Sequence, residues 1–503
     1  MNNKINTNMK KQTELLNYIY NQRWCNFKED ITNGNVKKIT LKETSFDNNN
    51  KFFIIGKAEI KNKQPQFFIM PLSRGNLDTF PKLKYKRYNT YDATKDNNYW
   101  SALMNSTFLH TSLNIDNDYS LIYQSWFDLD FITKHLNDNS KPLNAEQSNT
   151  TLVVGNNTIA FKQQRLIEFS KIPNSEIEMN YNLMKTKCSV IPKTYGHLFL
   201  LSPKGESAFV GIVQEFIPNK GDLWKICTKK LSELLKSTIQ NKNTKIEAST
   251  LRHLRTIMKN LGLKTSEMLN CLSTFKGDDL KPTPITAKYV KEYTEKLKGQ
   301  ISNAKTSVSK NTQNLPDTIK KRLKILLSNW DYYFNTFIKS NIATISKRKR
   351  KGKLMRVHGD FHLGQVILSD KGELKFIDFA GEPNLSFEKR REKHPFMYDV
   401  AGMYRSINGY LESSVITKYA TDENGIIDTE KLQSAYNIIH PVIEKLTADF
   451  LKNQIIDKEW LNLEILRRNL YEIDYEIDYR PKMLYVPILN LLNLLNIPQD
   501  KQN

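Results

Sequence analysis

The chain has 503 residues, of which 39% are hydrophobic and 25% are charged, and its mean hydropathy is −0.55. This balance excludes an intrinsically disordered chain and is typical of a globular protein with about two to four domains. The formal net charge of +22 favours partners that carry phosphate groups.

Composition also bears on the cellular location of the protein and on its binding partners. The N-terminal segment is polar, and no stretch reaches the roughly 18 apolar residues of a membrane span, so we expect a soluble, unexported, cytoplasmic protein without a membrane partner. The basic run at 346–353 lacks the interleaved aromatic residues of a single-strand-binding groove, which predicts a solvated loop and disfavours nucleic acid. The cysteines lie too far apart in sequence for a redox pair or a zinc cluster; they are Cys25, Cys188, Cys227 and Cys271.

The first 220 residues alternate short apolar runs with polar turns, which predicts strands. A helix around 14–20 precedes them, and an Asn-Asn turn between the apolar arms of 150–162 indicates a hairpin. The other predicted strands lie at 51–55, 66–70, 120–126 and 209–218.

After Pro218 the pattern becomes helical. Stretches rich in Lys, Asn, Ser and Thr at 237–250 and 302–316 predict surface loops. The predicted helices cover 250–272, 286–304 and 316–345, and two short apolar arms follow at 354–357 and 374–378.

The stretch "RVHGDFHLGQVIL" at 356–368 interrupts these apolar arms with polar residues. Phosphoryl transfer needs a carboxylate to deprotonate the acceptor hydroxyl and oxygen ligands for Mg²⁺. Asp360 can be the base, Gln365 can offer an amide oxygen, and Asp378, eighteen residues after Asp360, can offer a carboxylate. Either aspartate alone would be explained as a turn or a helix cap, but the two together favour catalysis.

Two histidines flank the proposed base. We expect His358 to brace the loop through its ring nitrogens, and His362 to contact the substrate.

A strand ending in Lys162 leads through a loop to the acid-bearing segment "PNSEIEMNYNLM". This order suits the Lys–Glu ion pair that accompanies a bound nucleotide in kinases. Glu178 is the first choice for the acid and Glu176 the second; a solvent-exposed Lys162 is the alternative.

The motifs "RVHGDFHLGQV", "IDFAGEP" and "DVAGMYRS" resemble those of the maltokinase family, ATP-dependent kinases related to aminoglycoside phosphotransferases and protein kinases. The resemblance runs from "QRWCNFK" near the start to "RNLYEIDYEIDYRP" near the end. It implies an α+β, bilobal protein-kinase-like fold. The implied domains are a β-rich N-terminal cap subdomain at 1–105, a β-rich nucleotide-binding N-lobe at 106–217 and a helical C-lobe at 218–503.

The resemblance also implies a nucleotide site. The segment "EQSNTTLVVGNNTIAFKQQR" is similar to the family's hairpin over the phosphates. It implies that Ser148, Asn149 and Thr150 cover the phosphates and that Lys162 touches the α- and β-phosphates.

The segment "VQEFIP" resembles the family's hinge. It implies adenine contacts from the backbone of Glu215 and Ile217, with an ordinary edge strand as the alternative.

The C-terminal motif resembles a helix that carries sugar-binding residues. Tyr471 and Tyr475 are four residues apart and share a helix face with Arg468, which suits a disaccharide; the alternative is that the tyrosines pack inward. Arg468 stands where the family usually has Lys, which alters the geometry of the contact. Ala380 replaces a usual glutamate, whereas Glu382 is retained.

The implied function is transfer of phosphate from ATP, with Mg²⁺, to the anomeric hydroxyl of maltose in trehalose and glycogen (α-glucan) metabolism, in association with trehalose synthase. One alternative is a kinase of another sugar such as glucosamine, because that group shares the HGD-x-H-x-GQ loop. The other is a non-catalytic, kinase-like binding protein that uses the positive charge. The presence of every group that the transfer needs favours an enzyme.

Overall fold

The computed structural model describes residues 13–22, 24–46, 50–75, 82–85, 88–108, 112–115, 118–126, 129–136, 141–142, 150–240, 244–313, 315–382, 385–423 and 427–498. The chain divides into two compact units. The first unit comprises Met1–Met184 and Pro192–Pro218, and the second comprises Lys185–Ile191 and Asn219–Asn503.

The first unit is built mainly from antiparallel strands. They are β1 Val36–Phe46, β2 Lys51–Ile60, β3 Gln66–Arg74, β4 Lys82–Tyr85, β5 Tyr88–Asp92, β6 Ser112–Ile115, β7 Tyr119–Ser125, β8 Lys141–Pro142, β9 Thr150–Val154, β10 Ile159–Gln163, β11 Leu166–Ile167, β12 Phe169–Ser170, β13 Thr194–Leu201 and β14 Ser207–Glu215. Its helices are α1 Thr13–Asn21, α2 Lys28–Thr32, α3 Asn97–Phe108, α4 Leu129–Leu136 and α5 Ser175–Lys185.

These strands form two sheets. One has the order β1-β2-β3-β5-β4, with β11 added to β3; the other has the order β6-β7-β13-β14-β10-β9-β8, with β12 added to β14. Successive side chains of a strand point to opposite faces, so Phe52 and Ile54 of β2 enter one hydrophobic core while Phe53 and Ile55 enter another. Because both faces of this part of β2 are covered, residues 52–55 form a continuous apolar run rather than an alternating one.

The hairpin predicted within 150–162 is confirmed. Strands β9 and β10 pair with Val154 opposite Ile159. Asn156 and Asn157 between them have φ values of 51° and 69°, a left-handed conformation that asparagine tolerates better than most residues. The sequence signal and the observed turn thus have the same physical cause.

The second unit is mainly helical. Its helices are α6 Leu223–Ile239, α7 Thr244–Ser273, α8 Ala287–Lys310, α9 Asp317–Ser328, α10 Trp330–Lys347, α11 Met397–Arg405, α12 Glu412–Ala420, α13 Thr429–Leu451, α14 Lys458–Tyr479 and α15 Tyr485–Leu494. Its strands are β15 Asn219–Asp222, β16 Thr283–Pro284, β17 Lys353–Met355, β18 Val366–Ser369, β19 Leu374–Phe376 and β20 His394–Pro395. They form two small sheets, β15-β18-β19 and β16-β17-β20.

The loop predicted at 302–316 is mostly helix, because α8 continues to Lys310. Ala304 and Val308 are buried, one helical turn apart, while Lys305, Thr306 and Ser307 between them are more accessible. The loop predicted at 237–250 is likewise largely taken up by the end of α6 and the start of α7. Polar composition indicated exposure correctly but did not distinguish a solvated helix face from a loop.

The domain boundary predicted after residue 217 lies one residue before the division at Pro218. The boundary predicted after residue 105 falls within α3, and both large sheets belong to the first unit. Within the described part of the chain, no helix is both long and apolar enough to cross a bilayer.

Candidate active site

The loop that carries Asp360 follows β17, and the strands after it bring two further polar side chains together. Strands β18 and β19 pair antiparallel, and the N–H of Ile377 donates to the carbonyl of Gln365 at 3.0 Å. Gln365 and Asp378 consequently lie side by side, with Nε2 of Gln365 3.4 Å from Oδ2 of Asp378. The two predicted metal ligands are thus neighbours.

The chemistry of this pair fits Mg²⁺, which prefers carboxylate and amide oxygens. Rotation of the Gln365 amide exchanges its nitrogen and oxygen, so Oε1 can also face a cation. Asp378 has a φ of 71°, a conformation that costs a non-glycine residue about 1–3 kcal/mol and that recurs at active sites. The described residues contain no cluster of three or more His, Cys, Asp or Glu side chains that could hold a metal, so a Mg²⁺ ion here would complete its shell with water and phosphate oxygens.

Asp399, at the start of α11, holds the backbone of the loop that carries Asp360. Its carboxylate accepts hydrogen bonds from the N–H of His358 at 2.8 Å and of Gly359 at 3.0 Å. Burial raises the pKa of Asp399 to about 6, although these two hydrogen bonds act in the opposite direction. Gly359 has a φ of 89° and lies against Gly381, where a Cβ would come within 2.8 Å of the Gly381 Cα. Asp399 belongs to the motif "DVAGMYRS", but its position there predicted no role for its side chain.

His358 braces the loop, as predicted. Its Nε2 lies 3.0 Å from the carbonyl of Ile377, and the N–H of Asp360 lies 3.4 Å from Nδ1. Nε2 must donate and Nδ1 must accept in this arrangement, which requires a neutral imidazole. Burial lowers the pKa of His358 to about 4, so the ring stays neutral near pH 7.

His362 lies between the proposed base and the proposed metal ligands. Its Nε2 is 3.8 Å from Oδ2 of Asp360 and 3.5 Å from Nε2 of Gln365. Nδ1 accepts a hydrogen bond from the N–H of Gly364, which fixes the orientation of the ring. The predicted substrate contact would therefore come from the Nε2 edge.

Arg468 of α14 lies beside Asp360. Its Nη2 is 3.2 Å from Oδ1 of Asp360, its Nη1 is 2.6 Å from Oε1 of Glu382, and its Nε is 3.3 Å from Oε1 of Glu472. Each nitrogen of the guanidinium thus faces a carboxylate. A sugar contact by Arg468, as predicted from the sequence, would have to use the remaining N–H bonds.

A buried network supports Arg468 from behind. Oε2 of Glu472 accepts two hydrogen bonds from Arg405, at 3.0 and 2.7 Å, and both side chains are almost inaccessible to solvent. The hydroxyl of Tyr398 donates to Oε1 of Glu382 at 3.1 Å. Charges buried in this way remain stable only when they are paired and hydrogen-bonded, so the network fixes the position of Arg468.

Tyr471 and Tyr475 share a face of α14, as predicted, and Tyr479 extends the row. The ring centroids are 6.2 Å and 4.9 Å apart along the row. Arg468 lies 5.0 Å from the ring of Tyr471 and Arg480 lies 5.1 Å from that of Tyr475. Neighbouring rings and guanidinium groups approach the flat faces of these tyrosine rings. A sugar would therefore meet the ring edges, which carry the hydroxyl groups, more readily than the flat faces.

In the first unit, Lys162 of β10 forms an ion pair at 3.3 Å with Glu176, whose side chain is buried. This corrects the sequence prediction, which preferred Glu178. The two glutamates are two residues apart, about 200° around the helix axis, so they lie on different faces of α5. Glu176 is on the buried face and Glu178 is only half-buried.

Replacing Lys162 with Met is expected to lower kcat/KM for ATP by about 10- to 100-fold, because a charge-assisted hydrogen bond contributes about 1.5–3 kcal/mol. Initial rates measured against ATP concentration would check this. Lys204→Met, at an exposed turn between β13 and β14, is the matched control. Equal loss in both variants would contradict a nucleotide role for Lys162.

The remaining predicted nucleotide residues are only partly described. Ser148 and Asn149 lie outside the described residues, and Thr150 is described only as the first residue of β9. The N–H of Glu215 donates to the carbonyl of Lys193 at 2.7 Å, so the predicted adenine contact at Glu215 would rest on its carbonyl oxygen. Ile217 lies two residues after the end of β14, and its predicted role stays a prediction.

Comparison with known proteins gives a relative and a fold. No family model matches the chain. A glucosamine kinase from Streptacidiphilus jiangxiensis is 28% identical over 144 residues, which are 28% of this chain and 32% of that protein. The match therefore spans about a third of the curated relative.

Two solved structures resemble the chain over most of its length. A glucosamine kinase in complex with glucosamine, ADP and inorganic phosphate has a TM-score of 0.56 at 17% identity, covering 92% of this chain and 94% of that one. A second crystal form of a glucosamine kinase has a TM-score of 0.58 at 17% identity and the same coverages. The chain thus has the predicted α+β, kinase-like fold. These relatives are glucosamine kinases, so maltose as the acceptor stays a proposal.

Proposed function

We propose that this protein is an ATP- and Mg²⁺-dependent sugar kinase that phosphorylates the anomeric hydroxyl of maltose. The observation that carries the proposal is the grouping of Asp360, His362, Gln365 and Asp378 on one braced loop and the adjoining end of β19. A base and two oxygen ligands within one site are what phosphoryl transfer to a hydroxyl requires. Motif spacing supports a role in phosphoryl transfer for each of these residues separately. Their proximity supports a shared role in one site.

The roles follow from the contacts. Arg468 engages Oδ1 of Asp360, which leaves Oδ2 to orient the acceptor hydroxyl and to accept its proton. Gln365 and Asp378 would hold the Mg²⁺ ion, which, when bound, neutralises charge on the phosphates. In the first unit, Lys162, oriented by Glu176, would bind the nucleotide phosphates.

Two observations support maltose as the acceptor. The resemblance of the C-terminal motif to the maltokinase helix is one. The tyrosine row beside Arg468 is the other, because several hydroxyl-bearing edges in line suit an acceptor longer than one sugar ring. Metabolism of trehalose and glycogen, and association with trehalose synthase, belong to the same proposal.

Glucosamine is the second candidate. The identity of 28% over 144 residues with a glucosamine kinase and the similar fold of the solved glucosamine kinases favour it. A kinase-like fold is shared by enzymes with different substrates, so the acceptor has to be decided at the site.

An assay of ADP release with ATP, Mg²⁺ and either maltose or glucosamine tests the proposal. We expect turnover with maltose and a product whose anomeric carbon carries the phosphate, which phosphorus–carbon couplings in NMR spectra would identify. Turnover with glucosamine and none with maltose would reverse the order of the two candidates. No ADP release with any sugar, together with thermal stabilisation by polyphosphate or RNA alone, would favour a binding protein.

A further inference from the structure

Three carboxylates converge on one positive charge next to the proposed base. Arg468 contacts Asp360, Glu382 and Glu472 at 3.2, 2.6 and 3.3 Å, one carboxylate for each of its nitrogens. The three acids come from the catalytic loop, from the segment after β19 and from α14 itself. An acidic cluster beside a sugar site would ordinarily attract a cationic sugar, but here the chain supplies the cation.

Burial makes this neutralisation strong. Glu382 and Glu472 are 2% and 3% exposed, so water cannot screen them. Glu472 is also paired with Arg405, and Glu382 also accepts a hydrogen bond from Tyr398. Both carboxylates are therefore satisfied without any ligand.

Asp360 retains one oxygen for the acceptor. Oδ1 is held by Arg468, and the acceptor hydroxyl would bind at Oδ2. An acceptor held at Oδ2 lies within one sugar ring of the guanidinium. The ammonium group of a hexosamine would then face a like charge, and two of the carboxylates that could have balanced it are already paired.

We propose that Arg468 determines acceptor specificity by making the site selective for uncharged sugars over amino sugars. This inference rests on the proposed sugar-kinase function and ranks maltose above glucosamine within it. It also explains why arginine suits this position, since its fork of N–H donors serves three acids at once, whereas a lysine ammonium is a single point charge.

The test compares glucose with glucosamine, which differ by one hydroxyl replaced with an ammonium, and uses maltose as the proposed acceptor. For the wild-type protein at pH 7, we expect kcat/KM for glucosamine to be at least about tenfold below that for glucose. The ammonium group of glucosamine would lie close to the guanidinium of Arg468, and the repulsion between two like charges is large enough for a tenfold loss. Raising the pH through the titration of the sugar's own amine should bring glucosamine closer to glucose, since the neutral amine is no longer repelled. This measurement needs no variant.

The Arg468→Met variant should shift the glucosamine-to-glucose ratio of kcat/KM upward by about tenfold or more, whereas Arg468→Lys, which keeps the charge, should shift it much less. If the wild-type protein at pH 7 has the same kcat/KM for glucosamine as for glucose, the inference is overturned even if Arg468→Met fails to fold. So would a folded Arg468→Met protein with an unchanged ratio. Absence of phosphate transfer to any of the three sugars by the wild type would instead overturn the sugar-kinase proposal itself.

Discussion

The Asp360→Asn variant is expected to lose about 10²- to 10⁴-fold in kcat, the contribution of general-base catalysis. Asparagine has nearly the same size as aspartate, but its amide cannot accept the proton of the acceptor hydroxyl. Arg468 keeps Glu382 and Glu472 as partners in this variant, so the fold should persist. Steady-state ADP release with saturating ATP and sugar gives kcat, and the melting temperature reports the fold.

Asp370→Asn is the matched control for this variant. Asp370 is exposed in the turn between β18 and β19, ten residues from Asp360, and we expect wild-type turnover after its replacement. An Asp360→Asn protein that turns over at the wild-type rate would remove Asp360 from the mechanism.

Replacing Asp399 with Ala is expected to lower kcat by about 10²-fold while the protein stays folded. The two N–H groups of His358 and Gly359 lose their acceptor, and misplacing a catalytic group by about 1 Å costs about that factor. Two opposite effects limit the change in stability. Each unsatisfied buried N–H costs about 1–3 kcal/mol, but removal of a carboxylate with a raised pKa relieves the cost of burying its charge.

The pH dependence of stability separates these effects. Because the pKa of Asp399 rises from an ordinary 3.8 to about 6 on folding, the folded protein binds a proton that the unfolded chain releases between these pH values. Ionisation of Asp399 therefore reduces stability as the pH rises from about 4 to about 6, and the Ala variant should lack this component. The midpoint of thermal unfolding, measured for both proteins across this range, would show the difference. Wild-type kcat in the Ala variant would contradict a role of Asp399 in positioning the loop.

Local sequence patterns predicted those elements whose conformation depends on residues close together in the sequence. The hairpin around Asn156 and Asn157 is one such element, since two adjacent residues that tolerate left-handed backbone suffice to turn the chain. The helices of the second unit are another, because burial at the helical period is visible in any window of a few turns. The end of α8 was missed because its polar residues outnumber the buried ones that keep it helical.

The choice between Glu176 and Glu178 shows where local reasoning stops. Both glutamates lie in the first turns of α5, and the sequence places both at a plausible distance from Lys162. Which one meets the lysine depends on the rotation of α5 against its neighbours, and packing of the whole helix decides that. Asp399 was missed for a related reason, because it lies 40 residues from the backbone that it holds.

Two features were determined by the sequence itself. The resemblance of its motifs to the maltokinase family implied the kinase-like fold class, and local spacing identified three polar residues from which a phosphoryl-transfer site can be built. They are Asp360, Gln365 and Asp378, which lie within 19 residues. Only the tertiary structure decided how these residues are held and charged. Arg468 reaches Asp360 across 108 positions of the chain, and a contact of that range depends on helix packing rather than on spacing. The long-range ion pair places Arg468 beside the proposed base, and that position is the physical basis for proposing an uncharged acceptor.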